Sequence, residues 1–238
     1  SVFLELLQDP TIWEKESAME PAGALFRKSM SPYLQNLLEP EIENVMLLET
    51  QRGCPYRCGY CYYNKSHVGL SFADESHLLQ GVRWALDLHV KELYLLDPSL
   101  NVHPGLKQML KKISKINKDQ HLEIISEIRA ESIDAELADL FAAAGFSWFE
   151  IGLQTTNPQA LKIMNRPTRL KQFARGAQLL KQNGMTPAID LIVGLPGDDL
   201  QGVSRSVEFV AENNLADDIQ VFPLLVLPGT DFRLNSAK

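Results

Sequence analysis

The sequence has few of the features that mark membrane-bound, exported or unfolded proteins. Its 238 residues include only 13 Pro and 14 Gly, and 45% are hydrophobic, which excludes collagen-like and disordered chains. The longest apolar runs, such as Val221 to Leu227, are far shorter than the roughly 20 residues of a membrane span. No charged and then apolar signal peptide opens the chain. We therefore expect a folded protein outside the membrane.

Positive charge and cysteine are also scarce. The formal net charge of −7 argues against a broadly basic surface, so a nucleic acid is not expected as a partner. The only three cysteines, Cys54, Cys58 and Cys61, lie within eight residues of one another. A disulfide framework needs pairs spread over the fold, whereas a tight trio is typical of a metal site in a reducing compartment. We expect a cytoplasmic protein.

The first 44 residues differ from the remainder because Pro10, Pro21, Pro32 and Pro40 interrupt any long helix in them. We interpret residues 1–44 as a lead-in or linker segment and residues 45–238 as one core domain. The chain starts with Ser1 and ends without an obvious stop, and we expect it to be a piece of a longer protein.

From Val45 onward, short apolar runs alternate with amphipathic segments of helical length, which is typical of βαβ units. Several of the runs are apolar throughout, as in parallel strands whose two faces are both buried. The sequence thus predicts an α/β fold with six parallel strands. They are predicted at Val45 to Glu49, Glu92 to Leu96, Leu122 to Ser126, Trp148 to Leu153, Ala188 to Val193 and Ile219 to Leu225.

Lysines recur at helical spacing opposite one of the apolar stripes: Lys107, Lys111, Lys115 and Lys118. We interpret them as the solvated face of a helix, and a polyanion site is the alternative.

The cysteines follow the first predicted strand with the spacing Cys-x3-Cys-x2-Cys, so their thiolates can converge on one centre. A structural zinc site needs four ligands, and the nearest candidate for the fourth is His67. A [4Fe-4S] cluster held by three cysteines leaves one iron open to an external ligand. The spacing favours the cluster, with zinc as the alternative.

This spacing, with the aromatic Tyr60 immediately before the third cysteine, resembles the signature of the radical S-adenosylmethionine (radical SAM) superfamily. The resemblance implies that SAM chelates the open iron through its amino and carboxylate groups. An electron from the cluster then cleaves SAM to methionine and a 5'-deoxyadenosyl radical, which abstracts hydrogen from a substrate. It also implies a partial (β/α)6 barrel of the TIM type and an external electron donor, such as a flavodoxin or ferredoxin.

Positions after the later predicted strands match the family as well. The resemblance implies that Glu127 contacts SAM, that Gln154 hydrogen-bonds the ribose and that Arg166 holds the methionine carboxylate, a task suited to a guanidinium fork. Asp190 matches an aspartate that approaches the ribose, and its position in an apolar strand is costly unless it meets a polar pocket. Ile192 is expected to pack against adenine, with plain core packing as the alternative.

Asp97-Pro98-Ser99 stands where the family often has a glycine-rich turn that holds the SAM amino group. We therefore expect Asp97 and Ser99 to bind the cofactor, and a simple loop start at Asp97-Pro98 is the alternative. This turn and the Leu48 to Cys58 stretch resemble the subgroup that carries an N-terminal cobalamin-binding domain. Cobalamin is expected only through residues before Ser1, with methyl transfer or carbon-skeleton chemistry as the outcome.

A different class of function is an iron-sulfur module that transfers electrons without cleaving SAM. Such modules normally supply four cysteines per cluster and would not need the polar residues that match the SAM-contacting positions of the family. The sequence favours the enzyme and does not indicate the substrate.

Overall fold

The computed structural model describes residues 26, 31–39, 44–67 and 69–235. Most of the lead-in segment lies outside these residues. Within its described part, the ring of Tyr33 packs 5.6 Å from the ring of Trp84. The Tyr33 hydroxyl also accepts a 3.4 Å hydrogen bond from the backbone N–H of Leu47. This stretch of the lead-in therefore rests on the core domain.

The strands of the described residues are β1 Val45–Leu48, β2 Gln51–Arg52, β3 Ser71–Phe72, β4 Glu92–Leu95, β5 Glu123–Glu127, β6 Phe146–Gln154, β7 Thr186–Val193 and β8 Asp218–Pro223. Six of them run parallel and form one sheet in the spatial order β1-β4-β5-β6-β7-β8. Within the described part of the chain, no pairing returns from β8 to β1, so these strands form a partial barrel. The two short strands, β2 and β3, pair antiparallel outside this sheet.

The six predicted strands are confirmed, and their ends differ from the prediction by at most two residues. Helices follow the strands in the order that βαβ units require. The α-helices are Tyr63–Ser66, Glu75–Asp87, Leu106–Ile116, Ala135–Ala144, Pro158–Ile163, Leu170–Gln182, Leu200–Glu212 and Asp231–Asn235, and single 3-10 turns occur at Leu100–Val102 and Ala130–Ser132. Among the described helices, none is long and apolar enough to cross a lipid bilayer.

Side chains of the strands alternate between two environments. On β6, Phe149, Ile151 and Leu153 are fully buried, and the ring of Phe149 lies 4.9 Å from that of Phe141 on the helix Ala135–Ala144. The intervening residues Glu150 and Gly152 are only partly buried and line a cavity. The outward face of the strands thus builds the core beneath the helices, and the inward face is left for a site.

The lysine row lies on the helix Leu106–Ile116 and beyond its end. Its apolar stripe is buried, whereas Lys107 and Lys111 remain 41% and 48% exposed and face Glu136 at 2.5 and 3.9 Å. The interpretation of this row as a solvated face is confirmed.

Candidate active site

The cysteine loop starts at a fixed point because Asp97, at the end of β4, holds the chain that enters it. The Asp97 carboxylate accepts hydrogen bonds from the backbone N–H groups of Thr50 and Gln51, at 2.8 and 2.7 Å, and from the Thr50 hydroxyl. Burial raises the pKa of Asp97 to about 6, although these three donors favour its ionised form. Asp97 thereby couples the ends of β1 and β4 to the loop.

The expectation that Asp97 and Ser99 of this turn bind the cofactor stays a prediction, and the structure shows that both side chains already have partners within the protein. Both residues are fully buried, the Asp97 oxygens are occupied by Thr50 and Gln51, and the Ser99 hydroxyl donates to Asn101 at 3.1 Å. Only Pro98 of this turn lines the cavity described below. The Asp97 side chain therefore holds the entry to the cysteine loop.

The loop turns sharply at Gly53, whose φ of +87° is a left-handed conformation that favours glycine. A Cβ atom at this position would lie 2.2 Å from the carbonyl oxygen of Gly69, so a side chain cannot be accommodated. The loop is held on its other side by a 2.8 Å hydrogen bond from the Gly59 N–H to the Met164 carbonyl. These contacts keep the cysteine loop against the helix Pro158–Ile163.

All three cysteines line one cavity of about 210 Å3. It lies on the inward side of β5, β6 and β7, where catalytic residues of parallel barrels gather. Its lining contains Cys54, Tyr56, Cys58, Tyr60, Cys61, Tyr63, Pro98, Glu127, Ile128, Arg129, Glu150, Gly152, Gln154, Arg166 and Asp190. Eight of the predicted cofactor and metal positions therefore meet here. They are Cys54, Cys58, Cys61, Tyr60, Glu127, Gln154, Arg166 and Asp190.

The three thiols are unpaired, and Cys58 is buried whereas Cys54 and Cys61 are partly buried. Burial raises the pKa values of Cys54 and Cys61, so both thiols favour the protonated form until a cation binds them. Among the described residues, no three His, Cys, Asp or Glu side chains lie close enough together to hold a single metal ion. His67, the candidate fourth zinc ligand, instead pairs with the Ser71 hydroxyl at 2.9 Å.

Arg166 connects the cysteine loop to β6. One of its terminal nitrogens, Nη1, donates to Cys58 Sγ at 3.5 Å, and the other, Nη2, donates to the Gly152 carbonyl at 2.5 Å. The Nε–H group is buried without a hydrogen-bond partner. Burial opposes the charge of Arg166, but Tyr60 and Cys58 nearby raise its pKa, so it stays cationic. A buried cation with a free donor is ready to receive an anionic group.

Gln154 reaches the cavity because β6 ends irregularly. Its pairing with β7 shifts register between Gly152 and Gln154, and Gln154 has a φ of +69°, a strained conformation for a residue with a side chain. The Gln154 amide folds back over Gly152, where a Cβ atom would lie 2.1 Å from Gln154 Nε2 and 3.1 Å from Arg166 Nη2. Glycine at position 152 thus makes room for both polar side chains.

Three carboxyl groups face the cavity from adjacent strands: Glu127 on β5, Glu150 on β6 and Asp190 on β7. Glu127 and Glu150 are register partners, and Asp190 pairs with Gly152, two residues further along β6. Burial raises the pKa of Glu127 to about 7, and the nearby Glu150 and Asp97 add to that rise. Burial and the adjacent Glu150 likewise raise the pKa of Asp190. Asp190 Oδ1 has no hydrogen-bond partner, so this group is open to a ligand.

Glu150 was missed by the sequence reasoning. It stands among apolar residues of a predicted strand, as Asp190 does, and the same cost of burying a carboxylate could have identified it. Its Oε2 atom lies 3.5 Å from the hydroxyl of Tyr94, which points from β4 toward the same interior.

Ile192 is the remaining predicted site residue and does not line the cavity. It packs against a small apolar cluster of Ala160, Leu161, Met164 and Leu195, which Tyr60 also contacts. The core alternative fits this position, and contact with an adenine stays a prediction.

The residues present fit a cluster and its SAM ligand. Three thiols provide soft ligands, and the Arg166 guanidinium and the unpaired Asp190 oxygen offer complementary partners for a carboxylate and for hydroxyl or amino groups. These groups share one cavity, although their positions span residues 54 to 190 of the chain.

Known proteins resemble this chain in sequence and in fold. The sequence profile described as the radical SAM superfamily matches residues 48–210. The heme chaperone HemW of Buchnera aphidicola subsp. Schizaphis graminum is 27% identical over 191 residues, which cover 75% of this chain and 50% of HemW. The tryptophan 2-C-methyltransferase of Streptomyces laurentii is 28% identical over 210 residues, covering 78% of this chain and 34% of that enzyme.

The fold is also similar to that of a solved structure, the radical SAM methyltransferase TsrM of Kitasatospora setae with cobalamin and a [4Fe-4S] cluster bound. The TM-score is 0.72 at 18% identity, and the match covers 79% of this chain and 38% of TsrM. The chain thus spans half or less of the length of these relatives.

Proposed function

The chain belongs to the radical SAM superfamily, and from this premise we propose that its cavity binds a [4Fe-4S] cluster and SAM and cleaves SAM reductively. Cys54, Cys58 and Cys61 hold the cluster, and the fourth iron position remains for SAM. When bound, the two groups supply a 5'-deoxyadenosyl radical that abstracts a hydrogen atom from the substrate. The domain is a radical SAM enzyme, and the residues that bind the cluster and SAM do not define its substrate.

The polar residues of the cavity orient SAM in this proposal. Arg166 binds the methionine carboxylate, because its Nε–H is unpaired and its Nη1 already lies at the Cys58 thiol. Asp190 and Gln154 receive the ribose from adjacent strand ends. Glu127 accepts a hydrogen bond from the amino group of SAM. These side chains act by binding and orientation, which fixes the reacting bond relative to the cluster.

One observation carries the proposal. Three thiols, a buried guanidinium and an unpaired buried carboxylate oxygen share a single cavity at the inward ends of parallel strands. A module that only stores an electron needs the thiols, but it has no use for a cationic group and hydrogen-bonding groups beside an open ligand position.

The test is anaerobic incubation of the reconstituted, reduced protein with SAM. We expect methionine and 5'-deoxyadenosine to form in equal amounts, measured by liquid chromatography. An intact four-iron cluster that leaves SAM uncleaved would favour the alternative, an electron-transfer module. The Cys58→Ala variant is the control, because it should lose the four-iron absorption and the cleavage together.

A narrower function, cobalamin-dependent methyl transfer, is supported by the likeness to the tryptophan 2-C-methyltransferase and to the cobalamin-bound TsrM structure. The test requires the natural protein with all of its domains, incubated with cobalamin and SAM. Formation of enzyme-bound methylcobalamin, seen in the visible absorption spectrum, would support this reaction. Unchanged cobalamin in a protein that cleaves SAM would leave the general activity and remove the narrower one.

A further inference from the structure

Two threonines directly after Gln154 are held by hydrogen bonds that the site described above does not use. The Thr155 side chain is buried, and its hydroxyl donates to Asp198 Oδ2 at 2.6 Å. The backbone N–H of Thr156 donates to the hydroxyl of Ser206, on a neighbouring helix, at 2.8 Å. The chain that leaves β6 is therefore tied to a second loop and to a helix.

Asp198 is the centre of these contacts and lies in the loop that follows β7. Its Oδ1 atom accepts hydrogen bonds from the Asn157 side-chain amide and from the backbone N–H of Asp199, both at 3.0 Å. Gly202 leaves the space for this carboxylate, because a Cβ atom there would lie 1.7 Å from Asp198 Oδ1. Both carboxylate oxygens are engaged, and Asp198 thereby joins the chain after β6 to the chain after β7.

Gln154 needs such an anchor because its backbone is strained. A residue with a side chain adopts a φ of +69° only when its surroundings impose it. The register shift between Gly152 and Gln154 precedes the strained residue, and the anchored Thr155 and Thr156 follow it. Ser206, which holds Thr156, is itself buried. Without these contacts Gln154 would relax, and its amide would leave its place in the cavity.

We propose that Asp198, together with Ser206, is a positioning residue that fixes the strained end of β6 and so holds the Gln154 amide where the ribose of SAM binds. This inference rests on the proposed function, in which Gln154 receives the ribose. Neither Asp198 nor Ser206 lines the cavity, so both act through Gln154 and not on SAM directly.

Asp199 offers a matched control, because it is the next residue and has a different task. Its carboxylate accepts a 2.7 Å hydrogen bond from the Gly202 N–H and caps the helix Leu200–Glu212. Asp199→Ala should lower the Tm by about 2–4 °C through loss of the cap. It should leave the Kd for SAM within about twofold of the unaltered protein, since the contacts of Asp198 with the chain after β6 remain.

The test measures SAM binding by anaerobic isothermal titration of the reconstituted protein with its cluster. Asp198→Ala should raise the Kd for SAM about tenfold, because the apparent affinity falls with the fraction of molecules that keep Gln154 in place. Iron content should be unchanged, since the three cysteines are not altered.

Two further variants separate positioning from a general loss of stability. In Gln154→Ala the ribose contact is already absent, so adding Asp198→Ala should raise the Kd by less than about twofold more. Asp198→Asn keeps the shape of the side chain and can still pair with the Thr155 hydroxyl. Its Kd should stay within about threefold of that of the unaltered protein.

A second measurement does not depend on SAM. Amide hydrogen exchange, followed by mass spectrometry, reports the opening of the chain at residues 154–157. Exchange of the Thr156 N–H should be about tenfold faster in Asp198→Ala and unchanged in Asp199→Ala. Ser206→Ala removes the acceptor of this N–H and should show the same acceleration and the same rise in Kd. It decides the question if Asp198→Ala fails to fold.

Equal changes of the Kd in Asp198→Ala and Asp199→Ala would overturn the proposal. So would a full tenfold rise when Asp198→Ala is added to Gln154→Ala, or an unchanged exchange rate of Thr156 in Asp198→Ala. Failure of the proposed function is a separate result. The unaltered protein with an intact cluster would then bind no SAM, whereas the exchange rates would still show whether Asp198 holds the end of β6.

Discussion

The two faces of strand β6 have opposite properties, although they alternate residue by residue. The outward residues Phe149, Ile151 and Leu153 are fully buried against helices, whereas the inward Glu150 and Gln154 share a cavity with Arg166. The outward face offers only apolar contacts. The inward face contains charges and unpaired polar atoms that reduce stability unless a ligand meets them. The same strand therefore separates the residues that hold the fold from those that perform chemistry.

The largest effect on stability is expected from the outward face. Phe149→Ala removes a fully buried ring that packs against Phe141 and Phe146, and we expect it to lower the free energy of unfolding by about 3–5 kcal/mol. Urea denaturation measures the change. Glu150→Gln, one residue along the same strand, should change stability by less than about 1 kcal/mol, because the amide keeps the shape and removes a like charge beside Asp190. Equal losses in the two variants would contradict the separation of the faces.

Arg166→Ala tests the cavity without disturbing the outward face. We expect SAM affinity to fall by about 2–3 kcal/mol, because a charged hydrogen-bond donor to the carboxylate is lost. Iron content should be unchanged, since the three thiols remain. Isothermal titration with SAM gives the affinity, and Arg169→Ala, an exposed arginine three residues away, is the control. An unchanged affinity in Arg166→Ala would remove this residue from the SAM site.

The smallest of these effects concerns the pH dependence of stability. Burial raises the pKa of Glu127 from 4.5 to about 7, so the folded protein binds this proton more tightly than the unfolded chain does. The contribution of Glu127 to the free energy of unfolding is fully present below about pH 4.5 and is lost as the pH rises toward 7. We expect a loss of about 2 kcal/mol across that range, less than the full pKa difference allows because Glu127 is only partly buried. Glu127→Gln should flatten the dependence, and an equally steep curve in the variant would assign it to other groups.

The local sequence pattern was sufficient to predict much of the fold and the position of the three thiols. Alternating apolar runs located all six strands of the sheet, and the cysteine spacing located the three thiols. Gln154, Arg166 and Asp190 were found because they resemble a family pattern, and the structure brings them into one cavity. Contacts between distant residues were not predictable in this way.

Asp97 shows why. Its partners Thr50 and Gln51 lie 47 and 46 residues earlier in the chain, and only the parallel pairing of β1 with β4 brings them to its carboxylate. From the sequence alone, an aspartate that anchors a loop cannot be distinguished from one that binds a ligand. The structure shows the anchoring contacts of this carboxylate through its burial and its hydrogen-bond partners.

The most direct test of the account is the electron paramagnetic resonance spectrum of the reduced, reconstituted protein before and after addition of SAM. If the three thiols leave one iron open beside Arg166, SAM should change the spectrum of the reduced four-iron cluster, and Arg166→Ala should require more SAM for the same change. A spectrum that SAM leaves unaltered at saturating concentration would contradict the central claim that this cavity places SAM on the cluster.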